Sequence, residues 1–138
     1  MRNNVLVLSI LALAATGCTQ TPQDAARAQA DAAATQAKLG KELAGLAPSG
    51  TSDCLDYVGS TSMKAFGSTL VYTANPNLKY VTNTGGGCEA VQRGDVLVTK
   101  SPTGRLCRGD IATTVMPQAR VQTGSCAIGG FTVYKREK

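Results

Sequence analysis

Histidine is missing from the whole chain, and so is tryptophan. Without an imidazole, a Ser-His-Asp or Cys-His relay, a His-ligated zinc and a histidine pH switch are all excluded. Aromatic residues are few, four Tyr and two Phe in 138 residues, so a core must be built mainly from Val, Leu, Ile and Ala. No apolar run reaches the roughly 20 residues that a membrane-crossing helix needs. Nor is there a dense basic cluster: 14 Lys and Arg against nine Asp and Glu give a formal charge of +5, scattered along the chain. That balance tolerates anionic headgroups but leaves no footprint for nucleic acid, and no such partner is expected. Paired C-x2-C knuckles are also absent, which disfavours a four-cysteine zinc site. No metal, cofactor or catalytic residue is expected, and the length leaves room for one folded domain.

What the chain does have begins at its start. Leu11-Ala12-Leu13-Ala14-Ala15-Thr16-Gly17-Cys18 is an apolar run that ends in small residues and a cysteine. It resembles the bacterial lipobox, and the resemblance implies that Cys18 is acylated and becomes the mature N-terminus. Met1–Gly17 is then a signal peptide, with Arg2 as its positive start and Val5 to Ala15 as its apolar segment. Thr19 rather than Asp after the cysteine implies transfer to the outer membrane, on its periplasmic face. An ordinary secretory signal is the alternative, because the same small residues suit its cleavage site.

Residues 18–52 are expected to form a spacer. Thr21-Pro22-Gln23-Asp24 supplies an N-cap, a proline at the first helical position and an acid in the first turn. The Ala-rich interior continues the helix, and Leu39, Leu43 and Leu46 repeat at helical spacing as a narrow stripe. Gly40 and Gly45 weaken it. This predicts a marginal, solvent-exposed helix; a coiled-coil partner helix is the alternative. Pro48-Ser49-Gly50-Thr51-Ser52 is read as a linker.

From 53 to 138, Val, Thr, Tyr and Gly dominate and turn signals recur, an all-β pattern. About six strands are predicted: Leu55–Gly59, Thr69–Thr73, Leu78–Thr82, Asp95–Lys100, Ile111–Val115 and Gly130–Tyr134, forming a small antiparallel barrel or sandwich. Ala74-Asn75-Pro76-Asn77 predicts a four-residue hairpin loop and Ser101-Pro102-Thr103-Gly104 a type I turn. So small a domain has a thin core, and disulfides are the expected remedy. With Cys18 assigned to the lipid, Cys54, Cys88, Cys107 and Cys126 remain, and four cysteines allow three pairings. The nested pairing, Cys54–Cys126 with Cys88–Cys107, is expected: the inner pair flanks one strand and its turn, and the outer pair would join the first and last strands.

Asp53-Cys54-Leu55, Cys88, Leu106-Cys107-Arg108-Gly109-Asp110 and Cys126-Ala127-Ile128-Gly129-Gly130-Phe131 together resemble a family of small proteobacterial lipoproteins catalogued as a domain of unknown function. The family pattern is C-[LI], then L-C-x-x-D, then C-x-[LI]-G-x-F, and the resemblance covers Asp53 to Tyr134. It implies location and fold and carries no activity.

Arg-Gly-Asp occurs at Arg93-Gly94-Asp95 and again at Arg108-Gly109-Asp110. The adhesion reading is weaker than the structural one, in which Gly turns the chain and Asp bonds the turn. Gly85-Gly86-Gly87 lacks the following helix of a phosphate loop and is read as a flexible turn. The acids Asp53, Asp56, Asp95 and Asp110 are read as solvated or turn-capping. Two functions follow. The first is a non-catalytic envelope lipoprotein that binds a protein, glycan or lipid. The second is a periplasmic inhibitor resembling the small β-barrel lipoproteins that block lysozyme, against which the positive charge argues.

Overall fold

The computed structural model describes residues 21–55 and 62–137. Helix α1 runs over Pro22–Glu42, capped as its sequence dictates: the Thr21 hydroxyl accepts from the Asp24 N–H at 3.2 Å, and Pro22 occupies the first turn. No side chain of α1 is buried. Thr35, Leu39, Glu42, Leu43 and Leu46 are half-buried, at helical spacing, which places the narrow leucine stripe against the domain. Its first half stays in solvent.

Eight strands follow: β1 (Ala47–Ser52), β2 (Ser62–Phe66), β3 (Thr69–Asn75), β4 (Leu78–Asn83), β5 (Val96–Lys100), β6 (Ile111–Met116), β7 (Val121–Ala127) and β8 (Phe131–Lys135). They form two antiparallel sheets, one of five strands in the order β1-β8-β4-β3-β2 and one of three in the order β5-β6-β7. The arrangement is a sandwich and not a closed barrel. Leu70, Tyr72, Tyr80 and Phe131 from the larger sheet meet Leu55, Cys88, Ala112, Cys126 and Ile128 in one buried cluster. The Tyr72 and Phe131 rings meet edge to face at 6.1 Å.

Three departures from the sequence-based expectation have local causes. The stretch read as a linker, Pro48 to Ser52, is most of β1, which pairs with β8. Pro48 is tolerated because β1 lies at the sheet edge, where a missing N–H leaves no ladder bond unmade, and the register shifts between Pro48 and Gly50. β2 and β7 were not expected, since Ser62-Met63-Lys64-Ala65-Phe66 lacks β-branched residues and β7 is rich in Gly, Ser and Gln. The β3–β4 loop is two residues, Pro76-Asn77, not four, because Asn75 pairs with Leu78 after a bulge. The expected strand from Leu55 to Gly59 lies outside the described residues beyond Leu55, whose N–H donates to Leu106 O at 2.7 Å.

The disulfides are Cys54–Cys107 and Cys88–Cys126, which corrects the nested pairing. Cys54 and Cys107 face each other in an isolated antiparallel bridge, flanked by Arg108 N–H to Asp53 O at 2.6 Å. Cys126 lies on the inner face of β7, toward Cys88 in the core. Cys107 follows β5 by a loop and is not the neighbour of Cys88 that sequence proximity suggested.

Glu42 fastens α1 to the outer face of the larger sheet. Its carboxylate takes Lys64 Nζ of β2 at 2.6 Å and Lys79 Nζ of β4, and Lys79 also donates to the Glu42 carbonyl at 2.6 Å. Both side chains of the Glu42–Lys79 pair are largely withdrawn from water, 16% and 11% exposed. The hydrogen bonds from Lys64 and Lys79 hold the Glu42 carboxyl below its ordinary value of 4.5. Glu42→Gln is therefore expected to lower stability by about 2 kcal/mol at neutral pH, the scale of a hydrogen bond to a charged group. Because the folded-state value is lowered, this contribution is present above pH 4.5 and fades as pH falls through the lowered value. Urea titrations of both proteins at pH 7 and pH 3 check it: the gap between them should narrow in acid.

Candidate functional site

The sequence-predicted residues are dispersed. Cys18 lies outside the described residues, as does Asp56. Asp53 pairs with Arg108 at 2.9 Å, but both side chains are more than half exposed, so the pair is worth little. The Asp110 carboxylate accepts from the Cys107 N–H at 2.8 Å, closing the turn in which Gly109 adopts φ 87°. Asp95 accepts from the Thr123 hydroxyl, and its own N–H donates to Ala90 O at 3.2 Å, just after Gly94 caps the 3-10 turn Glu89–Arg93 in the left-handed region. Both Arg-Gly-Asp motifs are thus turns whose aspartates are engaged within the fold. Among the described residues no group of three or more His, Cys, Asp and Glu could hold a metal.

Gly85-Gly86-Gly87 is held by side chains on either side of it. All three residues have positive φ, 69°, 116° and 92°. Gly85 N–H donates to Asn83 Oδ1 at 2.7 Å, and Gly87 N–H is taken by both carboxylate oxygens of Glu89, at 3.1 and 3.0 Å. The anion-accepting geometry of such a run is therefore already occupied by the chain's own carboxylate.

Among the described residues, two buried hydroxyls, Tyr72 OH and Thr82 Oγ1, have no hydrogen-bond partner. Burial pushes the Tyr72 hydroxyl up to about 12, so it stays protonated at neutral pH. It is enclosed in the core and offers no route to a substrate.

Two surface regions remain that sequence reasoning did not single out. A groove of about 530 Å³ opens at the β3–β4 turn and the end of β8, lined by Asn75, Asn77, Leu78, Lys135, Arg136 and Glu137. It holds amides and charges of both signs, with no nucleophile beside a base. The other is the outer face of the three-stranded sheet. β5 pairs Val96 with Val115, Val98 with Thr113 and Lys100 with Ile111, and β6 continues the rows to Gln122, Ser125 and Ala127 of β7. Directly opposed residues share a face, so Val96, Val98, Ile111 and Val115 lie together on the side away from buried Ala112 and Thr114. Val96, Val98 and Ile111 are 51%, 43% and 52% exposed, an unusual concentration for aliphatic side chains. Met116 and Val121, opposed at the hairpin end, are 40% and 56% exposed but alternate to the other side, that of Ala112 and Thr114. The near-continuous run Val96-Leu97-Val98-Thr99 hid this face in the sequence, because a doubly apolar strand reads as buried on both sides.

No family model matches the chain, no curated protein is similar to it, and no solved structure matches its fold.

Proposed function

We propose that this chain is a lipid-anchored protein of the bacterial cell envelope, held at the periplasmic face of the outer membrane, whose β domain binds a protein, glycan or lipid and does not catalyse. The observation that carries the envelope reading is the closure of Cys54, Cys88, Cys107 and Cys126 into two pairs, which suits an oxidising compartment and leaves Cys18 as the odd cysteine for acylation. Helix α1 suits a spacer. Its 21 residues extend about 30 Å at 1.5 Å per residue, and its first half is exposed at every residue but Ala25. No helix among the described residues is long and apolar enough to cross a membrane, so attachment in this reading falls to the acyl chains. The non-catalytic reading rests on the absence of histidine and on the engagement of Asp95 with Thr123 of β7 and of Asp110 in its turn. Similarity to the small proteobacterial lipoproteins of unknown function belongs to the same reading.

Cys18→Ala is expected to accumulate uncleaved precursor that takes up no labelled fatty acid, while the wild-type chain is labelled and fractionates with the outer membrane. Labelling of the Cys18→Ala chain would overturn the anchor, and a wild-type chain found in the inner membrane would overturn the location.

A further inference from the structure

The geometry points to a second, non-covalent membrane contact: the outer face of the β5–β6–β7 sheet seats on an anionic lipid surface. Four aliphatic side chains, Val96, Val98, Ile111 and the half-buried Val115, form the centre of this face. Among the described residues, its charged neighbours without a side-chain partner are of one sign. Lys100 lies on the face, opposite Ile111, and Arg93, just before β5, and Arg120, in the β6–β7 turn, are exposed at the other end of the sheet. None of Arg93, Lys100 and Arg120 has an ion-pair partner among the described residues. The two acids that adjoin it in sequence are engaged elsewhere: Asp95 with Thr123, which also bonds buried Thr114 on the inner side, and Asp110 with the Cys107 N–H. An apolar centre with a cationic rim is the composition of a surface that lies in the headgroup boundary.

The charges decide between occupants. A second copy docked on this face about a twofold axis would bring two rims of the same sign together, which is unfavourable. A protein partner is expected to find aromatic anchors, and the paired residues of this face include no aromatic side chain. A fluid anionic bilayer needs no pocket and rewards each cation by about fivefold in affinity. The contact does not depend on the lipid anchor at Cys18, although an anchor would hold the domain close enough for the face to settle.

The lack of tryptophan makes the test direct. Val98→Trp in the full-length chain places one indole on the face, and Asn77→Trp places one at the exposed β3–β4 turn as a control. In vesicles of phosphatidylglycerol and phosphatidylcholine containing brominated acyl chains, the Val98→Trp emission should shift to the blue and be quenched, and the Asn77→Trp emission should not. Adding Lys100→Glu and Arg120→Glu to Val98→Trp should lower the ratio of seated to free domain by at least about 25-fold, and so should vesicles of phosphatidylcholine alone. Unquenched emission in anionic vesicles overturns the proposal. So does quenching indifferent to the charge reversals, or a blue shift that appears without lipid and grows with protein concentration, which would mark self-association. Co-sedimentation of the Cys18→Ala chain reports on the anchor separately, so failure of one contact is not mistaken for failure of the other.

Discussion

Alanine at both Cys88 and Cys126 is expected to lower the stability of the folded domain by about 4 kcal/mol, and alanine at both Cys54 and Cys107 by a similar amount. The pairs close loops of 38 and 53 residues, and the chain-entropy relation for loops of that size gives about 4 kcal/mol each before native-state strain is subtracted. Total stabilities of small domains are about 5–15 kcal/mol, so losing one pair leaves a marginal fold and losing both leaves none. The two pairs differ in place. Cys88 is 1% exposed and Cys126 6%, both within the core cluster, while Cys54–Cys107 staples the half-exposed segment before β2 to the loop after β5. Removing the inner pair also leaves a cavity, so it should cost somewhat more. Urea midpoints of the two double variants measure this, and peptide mapping of the unreduced protein checks the connectivity. Fragments joining Cys54 to Cys126 would sink the pairing on which both numbers rest.

That pairing also marks where the sequence stops being informative. The N-cap Thr21, Pro22 and the leucine stripe of α1 are decided by contacts within a few residues, and they could be read directly. So could β3, β4, β6 and β8, whose β-branched and aromatic residues and bounding turns are local signals. β1, β2 and β7 could not, because each is a strand by virtue of its neighbour: Pro48 and Gly50 sit opposite β8, and Gly124 opposite Thr114. The partner of each cysteine depends on which strands lie in which sheet, and adjacency in sequence misled because β5 to β7 form a sheet of their own. The engagement of Asp110 in its turn was legible from the preceding glycine, whereas the Asp95 carboxylate reaches Thr123 of β7, a contact set by the sheet and not by its own turn. The outer face of β5–β7 was not, since nothing local says which side of Val96-Leu97-Val98 meets the core.

The tightest backbone approach in the smaller sheet joins two of these threads, and it gives a substitution with nearly as large an effect as a lost disulfide. Gly87 and Gly124 meet with no room for a side chain on either: a Cβ on Gly87 would stand 2.2 Å from Ser125 O, and one on Gly124 2.2 Å from Gly87 O and 2.9 Å from Thr114 Oγ1. These obstacles include backbone atoms of β7 and of the segment leading into Cys88, so neither can swing aside as a flexible side chain would. Gly87 also has φ 92°, a conformation that costs an L-residue about 1–2 kcal/mol by itself. Adding overpacking of about 1–3 kcal/mol, Gly87→Ala should lower stability by about 3 kcal/mol. Gly124→Ala carries the steric part alone, because its backbone does not have a positive φ, and about 2 kcal/mol is expected. Gly85→Ala separates the two causes: its φ is 69° but nothing lies within 4 Å of its Cβ position, so only the conformational cost applies. Pushing Gly87 off β7 also pulls Cys88 away from Cys126, so the Gly87→Ala disulfide should be reduced by a mild thiol before the wild-type one. Urea midpoints in the order wild type, Gly85→Ala, Gly124→Ala, Gly87→Ala, from most to least stable, are the expected result. A Gly87→Ala protein within 1 kcal/mol of Gly85→Ala would show that the two strands do not touch as described.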